Sequence, residues 1–281
     1  MRRFCVIGDP VGHSKSPAIQ NAMISVLGLD AEYLCKPVKL GEETEFLAQM
    51  RRGDWQGCNV TMPLKSAVIP HLDWVEEGAL RCGAVNTIRN IDGKLYGYST
   101  DGPGFLRSMR AAGQDPAGKT ITLLGAGGAA NSVAWFLAKA GARRVFCANR
   151  TVEKVEILCQ LAPDTLSPFD FSKETLCKLT SESELLINAT SLGMEGLNRQ
   201  FAGFAFVETL PEGAAVFDLI YHPLETELLR HARLRGLPTY NGTGMLLHQA
   251  VLSLEHFTGQ AIDPALVLPA AQRALDAALR Q

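Results

Sequence analysis

Four short polar clusters carry the residue types that acid–base chemistry needs: GHSKSP (12–17), NVTMPLK (59–65), GAVNT (83–87) and GYSTDG (97–102). They supply an ammonium at Lys65, a carboxylate at Asp101, hydroxyls at Ser14, Ser16 and Thr61, and amides at Asn59 and Asn86. Interconverting an alcohol and a ketone requires a group that gives and takes a proton at the oxygen. A small polyhydroxylated anion requires a hydrogen-bond partner for each hydroxyl. Singly, each residue has a plainer role. Ser14 and Ser16 suit a turn and a helix cap, Asn59 and Asn86 can satisfy loop backbone, Asp101 can cap the helix after it, and Lys65 can be a solvated side chain in the first turn of a helix. Their co-occurrence upstream of a second, different signal shifts the balance.

That second signal is LLGAGGAAN (123–131), with Gly125, Gly127 and Gly128 and with Ala130 in the third-glycine place. It follows a β-branched run and opens an alanine-rich helical one. A tight glycine turn there lets backbone N–H groups and a helix N-terminus approach a pyrophosphate. The next strand ends in ANRT, where an NAD site would carry an acidic residue for the ribose 2′-hydroxyl. The chain instead offers Asn149, Arg150 and Thr151, with Lys154 one turn on. Arg150 suits a 2′-phosphate, and Thr151 can cap the following helix while donating to the same group. NADP is therefore expected over NAD.

Alternating strands and helices must position these residues. RFCVIG reads as a strand, and SPAIQNAMISVLG as a helix with Ser16 as N-cap and Pro17 first in the helix. AEYLCKPV, GEETEFLAQMRRG and GCNVT continue the β-α-β order, and PLKSAVIPHL begins a helix. Two alternating runs flank Asp92-Gly93, a hairpin signal. DGPGFLRSMRAAG is a helix, and the polar stretch QDPAGKT (114–120) follows it near the domain junction. A second alternation then runs through ITLLG, AANSVAWFLAKAG, RRVFCANR, TVEKVEILCQLA, LLINAT, AAVFDLI, TELLRHARLRG and LPTYN, a doubly wound α/β unit. TGMLLHQAVLSLEHF and DPALVLPAAQRALDAALR are closing helices. The expected class is α/β with a mainly parallel N-terminal domain and a Rossmann-type domain.

Composition bounds the partners. The 281 residues are 47% hydrophobic and carry a formal net charge of −2, which excludes a general polyanion or nucleic-acid binder. ITLLGAGGAANSVAWFLA (121–138) is uncharged over a membrane-like length, but its glycine break makes it a buried strand–turn–helix. MRRFCVIGDP has no signal-peptide core. The seven cysteines are odd in number and show no C-x-x-C pair, so free thiols and a reducing, cytoplasmic setting are expected. The six histidines show no metal-ligand spacing, and no metal is expected.

In order, GDPVGHSKSPAIQNAM, NVTMPLK, GAVNT, GYSTDGPGF, GAGGAA, ANRT, NATSLGM, DLIYHPLET and NGTGMLLHQA resemble the shikimate dehydrogenase family over essentially the whole chain. The resemblance implies NADP-dependent, reversible reduction of 3-dehydroshikimate to shikimate on the route to chorismate and aromatic amino acids. It implies Lys65 and Asp101 as the catalytic pair. Ser14, Ser16 and Tyr221 become carboxylate contacts, Thr61, Asn86 and Gln249 hydroxyl contacts, and Asn59 a support. Gly125, Ala126, Gly127, Gly128 and Ala129, with Asn149, Arg150, Thr151 and Lys154, become the NADP site. Thr190 and Met245 lie toward the nicotinamide, and Leu219 and Gly242 complete the cofactor set. Lys65 either carries the proton or steadies alkoxide charge.

The implied division is a substrate-binding and catalytic domain over 1–104, a Rossmann domain over 105–240, and helices over 241–281 that return to the first domain. The implied assembly is a monomer or homodimer without nucleic-acid or membrane partners. A quinate or dual quinate/shikimate enzyme and a non-catalytic NADP-binding sensor are the alternatives. A methylenetetrahydrofolate-type dehydrogenase is disfavoured by S-x-S-P, Tyr221 and Gln249. Three positions depart from the family pattern: Ser99 for Asn, Gln20 for His, and Glu227 for the proline after Thr226.

Overall fold

The computed structural model describes residues 1–280, and the chain divides into two compact units: 1–104 with 247–281, and 105–246. In the first, β1 (Arg2–Gly8), α1 (Ser16–Val26), β2 (Ala31–Pro37), α2 (Glu43–Arg51), β3 (Gly57–Val60), β4 (Trp74–Val75), α3 (Glu77–Cys82), β5 (Thr87–Ile91), β6 (Lys94–Tyr98) and α4 (Asp101–Ala111) follow in order, α4 running on past Gly104. The sheet order is β2-β1-β3-β5-β6-β4. β1 pairs parallel with β2 and β3, whereas β5 pairs antiparallel with β3 and β6. The hairpin forms at Asp92-Gly93, where both residues take positive φ (51° and 83°), as a tight two-residue turn requires.

The second unit carries β7 (Thr120–Leu124), α5 (Gly128–Lys139), β8 (Arg144–Ala148), α6 (Val152–Cys159), β9 (Leu166–Phe169), α7 (Lys173–Ser181), β10 (Leu185–Asn188), α8 (Ala205–Glu208), β11 (Ala215–Asp218), α9 (Glu227–Leu234) and β12 (Thr239–Tyr240). Its sheet is parallel throughout in the order β12-β11-β10-β7-β8-β9, the doubly wound arrangement. Every residue of β7, β10 and β11 is buried, as strands covered on both faces must be. The uncharged 121–138 stretch is β7, its turn and α5. Among the described residues no helix is long and apolar enough to cross a membrane.

The last two helices are α10 (Thr243–Thr258) and α11 (Pro264–Leu279). From Leu247 onward the chain belongs to the first unit, six residues later than the expected boundary at 241. There Phe257 stacks on Phe4 of β1, with ring centroids 5.0 Å apart. α11 packs on α1, and Lys15 Nζ donates to the Ala278 carbonyl (2.8 Å).

Several local expectations are corrected. PLKSAVIPHL is not an α-helix: it is a run of turns ending in one 3₁₀ turn, Ile69–His71. The Lys65 carbonyl accepts from the Val85 N–H (2.9 Å), so it is withdrawn from any helical ladder. Pro70 also disfavours α geometry at Ile69. Ser16 is the first residue of α1, not its cap. Lys15 holds the cap position without a side-chain bond, and the Ser16 N–H donates to Ser14 Oγ (3.3 Å). Thr151 holds the cap position of α6, but its side chain makes no capping bond. β4, α3, β9, α7 and α8 are additional to the expected elements. Thr226 caps α9, its Oγ1 accepting from the Leu229 N–H (3.3 Å), and Glu227 sits in the first turn, where an acidic side chain suits the helix dipole.

Candidate active site

Lys65 lies in the turn segment after β3, anchored by the fully buried Leu64 and Val68. Its Nζ is 2.5 Å from Asp101 Oδ2, with side-chain exposures of 23% and 10%. Asp101 opens α4, and its other oxygen, Oδ1, accepts from Asn86 Nδ2 (2.8 Å). The carboxylate is thus held on both oxygens, which fixes the direction in which the ammonium is presented.

Asn86 is buried, and its side chain is committed to this frame. Nδ2 also donates to Thr100 Oγ1 (3.0 Å), while Oδ1 accepts from the Thr100 N–H (2.8 Å) and from Thr87 Oγ1 (3.0 Å). Asn59, on the adjacent strand, points its Nδ2 at the Asn86 carbonyl (3.1 Å), Thr87 Oγ1 (3.1 Å) and Ser253 Oγ (2.8 Å). Its Oδ1 accepts from the Tyr33 hydroxyl (2.7 Å). The antiparallel register that sets Asn59 opposite Thr87 brings these groups together. Such a closed network of buried partners specifies one arrangement, because each polar atom left unpaired would cost about 1–3 kcal/mol.

Ser14 lies on the loop before α1, Ser16 opens α1, Thr61 follows β3, and Gln249 stands on α10. The Thr61 N–H donates to the Ile7 carbonyl (2.9 Å), and its carbonyl accepts from Leu64 (2.9 Å). Thr100 Oγ1 donates to Gln249 Oε1 (3.5 Å), and Ser253 Oγ donates to the Gln249 carbonyl (2.9 Å). Of the departures, Ser99 is buried and its N–H donates to Glu76 Oε2 (3.4 Å), a carboxylate whose pKa burial pushes up. Gln20 is buried too, donating to the Ala250 carbonyl (3.0 Å). Sequence reasoning misses Tyr33, Thr87, Thr100 and Ser253. Thr87 and Thr100 stand inside the quoted clusters, but no motif points to Tyr33 or Ser253.

The second unit holds a cleft of about 270 Å³ outside the carboxyl ends of β7, β8 and β10. It gathers Gly125, Ala126, Gly127, Asn149, Arg150, Thr151, Lys154 and Thr190, and adds Phe171, Ala189, Ser191 and Leu192. This is the topological switch point, between β7 and β10, where a doubly wound sheet takes its ligand. Gly125 has φ +111°, and a Cβ there would sit 2.9 Å from the Ala189 carbonyl oxygen, so only glycine makes this turn. A Cβ at Gly127 would meet nothing within 4 Å, which leaves backbone open to the cleft. α5 begins at Gly128, so Gly128 and Ala129 contribute its N-terminal N–H groups. Among the described residues Arg150 and Lys154 pair with no carboxylate, and no acidic side chain lines the cleft. Two such cations on a carboxylate-free wall fit a dinucleotide carrying a 2′-phosphate.

Leu219, Gly242 and Met245 do not line that cleft. Met245 packs in the core of the unit, and Gly242 lies against the backbone after β11, its N–H donating to the Ile220 carbonyl (2.9 Å). A Cβ at Gly242 would fall 2.1 Å from the Leu219 carbonyl oxygen. Gly242→Ala is therefore expected to destabilise the protein by about 3 kcal/mol through overpacking, read as a lowered midpoint in urea. Tyr221, in the same stretch, is half-buried, and burial pushes its phenol pKa up. All seven cysteines are free thiols, and among the described residues no cluster of His, Cys, Asp and Glu could hold a metal ion.

A Rossmann cleft shaped for a 2′-phosphorylated dinucleotide and a lysine–aspartate pair framed by amides and hydroxyls define an NADP-dependent oxidoreductase. The chain is 40% identical to the shikimate dehydrogenase (NADP(+)) of one Thermus thermophilus strain, over 98% of this chain and 99% of that protein. It is 41% identical to that of Geobacillus kaustophilus, over 92% of each. The chain belongs to the shikimate dehydrogenase family. Family models match as the shikimate dehydrogenase substrate binding domain over 6–88, shikimate/quinate 5-dehydrogenase over 109–200, and the shikimate 5′-dehydrogenase C-terminal domain over 242–272. The crystal structure of shikimate 5-dehydrogenase from a second Thermus thermophilus strain, in complex with NADP(H) and shikimate, superposes with a TM-score of 0.86 at 39% identity, covering 98% of this chain and all of that one.

Proposed function

We propose that this chain catalyses the reversible, NADP-dependent reduction of 3-dehydroshikimate to shikimate. The observation that carries the reading is the Lys65–Asp101 pair at 2.5 Å, with Asp101 braced by Asn86. NADPH, held by the residues of the second-unit cleft, supplies the hydride. Lys65 donates a proton to the carbonyl oxygen as alkoxide charge develops there, and takes it back in the reverse direction. Asp101 aims the ammonium. Ser14 and Ser16 receive the substrate carboxylate, and Thr61 and Gln249 its hydroxyls. Asn59 and Asn86 serve as the frame, since their amide hydrogens already have protein acceptors. The free thiols fit a cytoplasmic enzyme.

Initial rates with shikimate and quinate, each with NADP⁺ and NAD⁺, test the reading. Shikimate with NADP⁺ is expected to give the highest kcat/KM. NADPH binding without turnover of either acid would refute it and leave a sensor. Arg150→Ala is expected to raise the KM for NADP⁺ at least about tenfold while changing that for NAD⁺ little, because it removes only a 2′-phosphate partner.

A further inference from the structure

Tyr33 is the largest fully buried side chain of the first unit, and it belongs to no part of the reaction described so far. Its backbone is gripped on both sides by Asn21 of α1, which accepts from the Tyr33 N–H (2.9 Å) and donates to its carbonyl (2.8 Å). The phenol reaches past β1 and donates to Asn59 Oδ1 (2.7 Å). We propose that Tyr33 is a positioning residue for the reaction: its phenol holds the Asn59 carboxamide in one orientation and so fixes the frame that aims Asp101 and Lys65. The proposal rests on the roles given above to Lys65 and Asp101.

The direction in which the Asn59 amide faces decides what the phenol does. Its Nδ2 has three acceptors for two hydrogens, in the Asn86 carbonyl, Thr87 Oγ1 and Ser253 Oγ. That side is over-supplied. On the other side Tyr33 O–H is the donor that meets Oδ1. A flipped amide would set Oδ1 against the Asn86 carbonyl, acceptor against acceptor. The same Asn86 holds Asp101 Oδ1 through its side chain, so the orientation of Asn59 reaches the catalytic carboxylate through one intervening residue. Burial raises the phenol pKa well above its ordinary value, so the hydroxyl remains a donor throughout the working range. Phenylalanine would fill the same volume and pack equally well. The hydroxyl is what the frame uses.

The test compares Tyr33→Phe with the wild-type protein in 3-dehydroshikimate reduction by NADPH, with NADPH affinity measured separately by fluorescence. The expected result is a kcat lowered about tenfold to a hundredfold per folded enzyme, with the dissociation constant for NADPH within about twofold of wild type. A primary isotope effect from NADPH deuterated at the transferred position is expected to grow, because misaimed groups slow the hydride step itself. A purely structural hydroxyl would lower the melting temperature and leave both kcat and the isotope effect unchanged, which overturns the proposal. A raised KM with unchanged kcat also overturns it, since the phenol would then act on substrate binding alone. If the variant does not fold, exchange of the Asn59 side-chain amide hydrogens in the wild-type protein decides. Slow exchange with one pair of resonances supports a fixed amide, and rapid exchange overturns it. If the wild-type protein turns over neither shikimate nor quinate, the functional reading fails first and the proposal with it.

Discussion

Lys65→Met lowers the turnover of 3-dehydroshikimate by about 10²- to 10⁴-fold, the range a positioned general acid contributes. Methionine keeps the length and apolar stem of the lysine, so packing beside Leu64 and Val68 is preserved. What is lost is the ammonium 2.5 Å from Asp101 Oδ2. Because the cofactor cleft lies on other elements, NADPH affinity is expected to stay within about twofold. The two roles open to Lys65 separate on the solvent isotope effect of the wild-type protein. A proton carrier moves its proton as the hydride arrives, so turnover is slower in heavy water. A group that only steadies alkoxide charge transfers no proton in that step and leaves turnover nearly unchanged there. A rise in KM with kcat intact would make Lys65 a binding group and would refute both versions.

The position of that lysine shows where sequence reasoning stops. Leu64 and Val68 are spaced like one face of a helix, and a proline stands just before them, so a helix start is the natural expectation. Yet the Lys65 carbonyl is taken by Val85, twenty residues on, and a bond of that separation cannot be read from local periodicity. The pairing of the lysine with Asp101 survives the wrong local structure because Asp101 is fixed by a cluster that is itself legible. The Rossmann turn is readable for the opposite reason: strand, glycines and helix are contiguous, and each demands the next. β9 escapes because Pro168 argues against a strand, and it is tolerated only because β9 is the sheet's edge. Phe171, two residues past that strand, is lost with it. Tyr33 is illegible in a stricter sense. Its partner Asn59 stands on a strand separated from its own by β1, so the contact exists only once the order β2-β1-β3 is known.

The stability of the protein is expected to fall as pH rises from about 4 to about 6, and Asp218→Asn is expected to remove that fall. Asp218 ends β11 almost wholly buried. Burial pushes its pKa up to about 6, against the pull of three donors: Thr226 Oγ1 (2.7 Å), the Ile220 N–H (3.0 Å) and Asn188 Nδ2 (3.0 Å). In the unfolded chain the same carboxyl titrates at about 3.9. The folded state therefore holds its proton over a window in which the unfolded state has released it. Below about pH 4 both states are protonated and the stabilisation is complete. Through the window it is lost, and above about pH 6 both states are ionised and the loss is complete. Two pKa units correspond to about 3 kcal/mol. An asparagine is neutral throughout, and its oxygen can still accept from Ile220 and Asn188. Its Nδ2 would face Thr226 Oγ1 as a donor, a rearrangement costing about 1 kcal/mol. Urea midpoints from pH 4 to 7 should thus diverge, the variant becoming the more stable protein toward neutrality, whereas parallel curves would mean that Asp218 does not hold its proton. Asn188 also accepts from the Thr190 N–H (3.0 Å) and hydroxyl (2.7 Å), and Thr190 lines the cofactor cleft. Because asparagine leaves an acceptor for Asn188, NADPH affinity should survive the substitution. Asp218→Leu, which removes that acceptor and frees Asn188 to turn, should weaken it.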